Sequence, residues 1–230
     1  MRIREIDWGG VRRVLIVRLR SIGDTVLCTP SLIALKRFLP EAQVDILLED
    51  WVAPILDGFE SVDNVLTVGP GAVGRFAVAR NIRRRKYDVV FNLHGGTTAT
   101  FFVATSGARH RVGYSNYQYS FLYNHLLSSP SDFWKRDATH SAEQQLALLG
   151  FLGVPVEDRP KSHLAVTESS MASLETKLTP QFSIDEPFAI IHPLAASKTK
   201  EWQIEKFART AEFLTDKGLG VAVVGTANDS

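Results

Sequence analysis

With 230 residues, 45% hydrophobic and 22% charged, the chain has the composition of a soluble globular protein of one large or two smaller domains. A formal net charge of +1 argues against wholesale nucleic-acid binding, and a single cysteine, Cys28, excludes an intramolecular disulfide. The opening is charged at once (Arg2, Arg4, Glu5, Asp7) and so lacks a secretory signal pattern, and no apolar run approaches the ~20 residues that span a bilayer. A cytoplasmic location is expected.

In chain order, short apolar or β-branched runs at residues 13–18, 44–49, 64–68 and 88–93 read as strands covered on both faces, the pattern of a parallel sheet. Helical patterns fall between them at 24–38, 51–56, 73–85 and 97–106, with Pro30 early in the first, where it is either tolerated or kinks the helix. A further strand is expected at 111–114 and an amphipathic helix at 141–152, ended by Gly153. These elements make a Rossmann-like first domain over 1–153. Pro155, Pro160, Pro180 and Pro187 punctuate a linker over 154–186 with one weak helix near 169–177. A second α/β unit begins at 187: strand 188–192, helix 203–217 and strand 220–224. One such unit is too small to bury its own core, so the second domain is expected to be incomplete over 187–230.

The most informative segment is residues 14–30, VLIVRLRSIGDTVLCTP. An apolar strand runs into two arginines, a turn and Gly23-Asp24, then a helix. In an open α/β sheet ligands gather at the carboxyl ends of the strands, so Asp24 stands where chemistry is usually done. By itself it also reads as a helix N-cap. A loop at 192–202, HPLAASKTKEW, lies between strand and helix, where backbone N–H groups meet phosphates. No GxxxxGK[ST] or GxGxxG follows a strand, which disfavours a P-loop enzyme or a dehydrogenase. Residues 113–134 hold four of the five tyrosines, with Phe121, Phe133 and Trp134, a composition suited to stacking on sugars and equally to internal packing. The histidines show no metal-ligand spacing, and Cys28 sits in an apolar helical pattern as a packing residue.

Residues 18–49, RLRSIGDTVLCTPSLIALKRFLPEAQVDILLE, resemble the opening of the ADP-heptose:lipopolysaccharide heptosyltransferase family, glycosyltransferase family nine. Residues 190–218, IIHPLAASKTKEWQIEKFARTAEFLTDKG, resemble the start of that family's donor-binding domain. The resemblance implies an α/β, GT-B-like architecture of two Rossmann-like domains with parallel sheets. The first would bind a lipopolysaccharide core or other sugar acceptor. The second would bind a nucleotide-sugar donor resembling ADP-heptose. It implies an inverting transfer in the cleft between them, with no metal or other cofactor. Asp24 then becomes the base that takes the acceptor hydroxyl's proton. Lys200 becomes the donor-phosphate lysine, with Ser197 and Thr199 adding hydroxyl hydrogen bonds. Arg18, Arg20 and Ser21 become acceptor-side residues. Arg111, in the phrase RVGY, and His140 match residues that recur in the family. The family's later donor segment lies beyond these 230 residues, so the chain alone is expected to be inactive. Two other readings stay open: a different nucleotide-sugar transferase or epimerase, and a catalytically silent binding module. The basic run at 75–86 reads first as a solvated face and second as a peripheral contact with the inner membrane.

Overall fold

The computed structural model describes residues 5–178, 182–195 and 198–225, and separates into two compact units, Met1–Val166 and Thr167–Ser230.

The first unit is built on strands β1 (Arg13–Leu19), β2 (Gln43–Glu49), β3 (Asn64–Val68), β4 (Val89–Asn92), β5 (His110–Tyr114) and β6 (His125–Leu127). They form one sheet in the order β3-β2-β1-β4-β5-β6, and every neighbouring pair is parallel. This is the doubly wound dinucleotide-fold order, in which the chain winds outward from β1 in one direction and from β4 in the other. The gap between the carboxyl ends of β1 and β4 is therefore the switch point, where Ile16 pairs with Phe91 and Val17 with Asn92.

Both faces of β1 are buried, as its apolar run requires. Val14 and Ile16 face one core with Leu32 and Leu35 of α2 (Thr29–Phe38) and Leu146 and Leu149 of α6 (Ser141–Gly150). Leu15, Val17 and Leu19 face the other with Ala79 and Ile82 of α3 (Ala72–Arg85) and Phe102 and Val103 of α4 (Gly96–Thr105). The period of two puts successive residues on opposite faces, and each fully buried aliphatic side chain stabilises the fold by about 1.5–3 kcal/mol.

Several boundaries differ from the sequence reading. The helix expected over 24–38 is two helices, α1 (Ile22–Val26) and α2, joined at Cys28. Pro30 has no N–H for the Val26 carbonyl four residues back, and its ring crowds that carbonyl. The Thr29 hydroxyl donates to that carbonyl instead, at 2.7 Å. The helix expected at 51–56 is a short 3-10 turn, Ala53–Leu56, and α6 ends at Gly150. Strand β6 and the short helix α5 (Pro130–Trp134) lie within the tyrosine-rich segment and were not anticipated.

The linker also begins later than expected. Val154 and Val156 are buried in the first core, and the Asp158 carboxylate takes two bonds from Arg37 at 2.7 and 2.9 Å. The His163 N–H donates to Thr29 Oγ1 at 3.1 Å. Residues up to Val166 thus belong to the first unit.

The second unit contains α7 (Glu168–Lys177), β7 (Phe188–Ile191), α8 (Ile204–Asp216) and β8 (Gly220–Val223), with β7 and β8 paired in parallel. Its apolar residues are largely exposed, among them Ile190 at 63% and Val223 at 65%, as expected where one βαβ unit has little interior to offer.

Candidate active site

A cavity of about 680 Å³, within the usual range for small-molecule sites, lies at the carboxyl edge of the first sheet. Arg18 near the end of β1 and Asp24 in α1 form one wall; Leu93 and His94 follow β4; Tyr114 and Tyr117 come from the end of β5 and beyond; Gln144 and Gln145 come from α6. The parallel topology brings these segments to the switch point although they are far apart in the chain.

Asp24 is not an N-cap. Ser21 holds that position, Asp24 lies in the first turn of α1, and the Asp24 carboxylate is held by side chains. Arg18 Nη2 lies 2.7 Å from Asp24 Oδ2, and the Ser21 hydroxyl donates to the same oxygen at 3.2 Å. The Asp24 side chain is 45% exposed, whereas that of Arg18 is 8% exposed. The carboxylate is thus oriented by a buried cation and still open to a ligand.

Arg18 is itself fixed from behind. Its Nη1 donates to the Leu93 carbonyl at 3.0 Å and meets His94 Nδ1 at 3.2 Å. A guanidinium only donates, so Nδ1 must accept, which leaves the ring proton of neutral His94 on Nε2. Burial, then the charges of Arg18 and Arg20, push the His94 pKa below its ordinary value. Gln145 is buried; its Nε2 lies 3.5 Å from the Asp24 carbonyl, while its Oε1 has no hydrogen-bond partner among the described residues.

The tyrosines serve packing and cavity together. The Tyr123 hydroxyl accepts from Asn92 Nδ2 at 2.7 Å and shares a bond with Thr100 Oγ1 at 2.8 Å. Asn92 Oδ1 accepts the N–H groups of His94 and Gly95 at 3.0 and 2.8 Å, which shapes the turn after β4. Tyr117 donates to the Asn92 carbonyl at 3.3 Å.

Of the acceptor-side residues expected from the sequence, Arg18 lines the cavity and Ser21 bonds to Asp24. Arg20 is exposed and lies 4.0 Å from Glu49, outside the cavity lining. Arg111 also lies outside it, because its guanidinium is taken up by the carbonyls of Leu122 at 2.7 Å and Ala108 at 2.9 Å. His140 caps α6: its Nδ1 accepts from the Ala142 N–H at 3.3 Å, and its own N–H donates to Glu143 Oε2 at 2.9 Å. Its neighbours Thr139 and Ser141 line the cavity, but His140 does not.

His94, Gln144 and Gln145 went unrecognised as site residues. The position of His94 just past a strand was a usable signal; the two glutamines sit in a helix that reads as ordinary amphipathic sequence.

In the second unit, Thr199 and Lys200 belong to a 3-10 turn, Lys198–Lys200, in the loop between β7 and α8. Lys200 is exposed. Ser197 lies outside the described residues. Trp202 packs edge-on against Phe207 of α8 with ring centroids 5.5 Å from Lys206 Nζ and 5.4 Å from the phenyl ring. Among the described residues no group of three or more His, Cys, Asp or Glu side chains is placed to hold a metal ion.

Comparison with known proteins gives a consistent family. A model described as "Glycosyltransferase family 9 (heptosyltransferase)" matches residues 75–230. Lipopolysaccharide heptosyltransferase 3 of Escherichia coli K12 is 24% identical over 220 residues, covering 89% of this chain and 60% of the relative. A crystal structure of the glycosyl transferase family 9 protein from Veillonella parvula superposes with a TM-score of 0.79 at 19% identity, covering 95% of this chain and 63% of that one. The E. coli heptosyltransferase WaaC with ADP superposes with a TM-score of 0.67 at 20% identity, covering 94% and 67%. The chain spans about three fifths of the length of the curated relatives it matches.

Proposed function

The chain belongs to glycosyltransferase family 9, and from that premise we propose that the protein transfers heptose from ADP-heptose to the inner core of lipopolysaccharide, inverting the anomeric centre. The names of its relatives support the substrate class: lipopolysaccharide and lipooligosaccharide heptosyltransferases, and a solved WaaC with ADP.

The observation that carries the reading is the half-exposed Asp24 carboxylate, oriented by Arg18 inside a cavity of about 680 Å³ at the switch point of the sheet. A sugar hydroxyl becomes a competent nucleophile when a positioned carboxylate takes its proton. The acceptor oxygen attacks the anomeric carbon, the bond from that carbon to the diphosphate oxygen breaks, and ADP departs with the electron pair. The proton ends on Asp24. With no enzyme-bound sugar the configuration inverts.

Arg18 and the polar lining of His94, Gln144 and Gln145 would hold an acceptor rich in hydroxyl and anionic groups, with Ser21 steadying the Asp24 carboxylate. Lys200 and Thr199, with Ser197, would meet the donor diphosphate, where a lysine supplies a compact positive charge against the charge that develops on departure. A cytoplasmic enzyme at the inner membrane fits this substrate pair. No described helix is long and apolar enough to cross a membrane.

The test compares Asp24→Asn with the parent protein, each carrying the complete donor-binding domain, using ADP-heptose and lipopolysaccharide core acceptors. Retained acceptor binding with transfer reduced about 100-fold or more is the expected result. Equal turnover by the two would sink the general-base role, and no turnover by the parent protein on these substrates would sink the substrate assignment.

A further inference from the structure

Helix α3 and its neighbour α4 cover one face of the first sheet, and this layer is electrically one-sided. Residues 70–87 and 95–109 contain no aspartate or glutamate, while they carry Arg75, Arg80, Arg83, Arg84, Lys86 and Arg109. Arg85 is drawn away toward the buried Asp45, at 3.1 Å. Because the chain as a whole is nearly neutral, at +1, the positive charge is segregated to this layer.

The same layer exposes large apolar side chains. Ala79 and Ile82 point α3 into the core. On the opposite side, Val73, Phe76, Ala77, Arg80 and Arg84 recur at steps of three and four residues and are all exposed. Val73 is 86% and Phe76 65% exposed, and the Phe76 ring stands edge-on against Phe101 of α4, with centroids 5.6 Å apart. The outward stripe is thus apolar at its first turn and basic along its later turns. Since α3 follows β3 and α4 follows β4, the apolar end lies at the carboxyl edge of the sheet, the edge that also holds Asp24.

We propose that this stripe docks the protein on an anionic phospholipid bilayer. Val73 and Phe76 enter the boundary between headgroups and acyl chains, and Arg80 and Arg84 contact the lipid phosphates. A surface of positive charge alone would suit any polyanion. Two large apolar side chains on the same stripe favour a bilayer, because only the bilayer removes them from water while its phosphates meet the arginines. The inference stands on α3 and α4 and does not depend on which sugar is transferred.

The experiment is co-sedimentation of the full chain with vesicles of phosphatidylcholine alone, or with about one third phosphatidylglycerol, with a parallel titration against duplex DNA. Binding to the anionic vesicles that weakens with salt is expected, with weak binding to neutral vesicles. The pair Arg80→Ala and Arg84→Ala should weaken it about 30-fold, following the usual contribution of each basic residue near a charged membrane. Phe76→Ser should weaken it further at high salt, and Phe76→Trp should show blue-shifted fluorescence on vesicle addition. These side chains are exposed, so circular dichroism should be unchanged. Equal binding to neutral and anionic vesicles, full binding by the variants, an unshifted Phe76→Trp spectrum, or tighter binding to DNA would each overturn the proposal.

Discussion

The Arg18 guanidinium lies 2.7 Å from the Asp24 carboxylate, and the arginine is the buried member of the pair, 8% exposed against 45%. Arg18 also reaches the Leu93 carbonyl and His94 Nδ1, so one side chain ties the end of β1 to the turn after β4. The energetic consequence is asymmetric. Losing a half-solvated carboxylate differs from losing a buried cation that reaches acceptors on three residues, Asp24, Leu93 and His94.

Arg18→Met should therefore do more than weaken a ligand contact. It leaves the Leu93 carbonyl and His94 Nδ1 without their donor, at a cost of about 1–3 kcal/mol, and frees the Asp24 carboxylate from the orientation that Arg18 sets. Thermal denaturation and transfer should both register the change. Arg18→Lys keeps the charge but loses the planar fork, and should recover stability better than turnover. A Met variant with parent stability and turnover would show that the three-way contact is dispensable.

At the opposite end of the sheet, Asp45 is completely buried and accepts bonds from Gln43 at 2.8 Å, Asn64 at 2.9 Å, Tyr87 at 2.5 Å and Arg85 at 3.1 Å. Burial, together with the bond to Asp45, pushes the Tyr87 hydroxyl far above its ordinary pKa, so it stays a donor. Asp45→Ala strands these donors and should cost about 3–5 kcal/mol in urea unfolding. Ligand binding by the folded fraction should be unchanged, because the cavity lies at the carboxyl ends of the strands.

Gly113 of β5 supports the site through its missing side chain. A Cβ there would stand 2.9 Å from Tyr123 Cε1 and 3.1 Å from Tyr117 Cδ2. Gly113→Ala should displace both rings at a cost of about 1–3 kcal/mol and weaken acceptor binding, because Tyr117 lines the cavity. Calorimetric melting and acceptor titration would reveal it; parent values in both would mean that the rings have room to yield.

The sheet was legible because its central strands are apolar on both faces, as the VLIV run of β1 shows, and Asp24 was legible because it follows such a strand. The split of the first helix was only half legible: Pro30 was visible, but the Thr29 hydroxyl that takes over the Val26 carbonyl is a tertiary outcome. Strand β6 has three residues, too few to show a period. Arg111 stood out in RVGY, yet its bonds to the carbonyls of Ala108 and Leu122 depend on a loop fold that no local pattern encodes. Gln145 reached the cavity only through the packing of α6 beside α1 and α2.

The last prediction concerns acid stability. His110 Nδ1 and His125 Nε2 lie 2.9 Å apart in the core, and His125 is fully buried. Burial first, then the charges of His110 and Arg111, push the His125 pKa down to about 4 from an ordinary value of 6.5. The folded state therefore holds this ring neutral where the unfolded chain would protonate it. Between these two values the unfolded state binds more protons, so stability from this group is intact above pH 6.5 and falls as the pH drops toward 4. The loss is at most about 3 kcal/mol. Replacing the ring by an uncharged amide in His125→Gln removes this titration, at some cost in packing. Urea unfolding followed across that range should show a steep decline for the parent chain and a flatter one for the variant. Parallel pH profiles would place the titrating group elsewhere, with His94, whose pKa is lowered by burial and by Arg18 and Arg20, the next to replace.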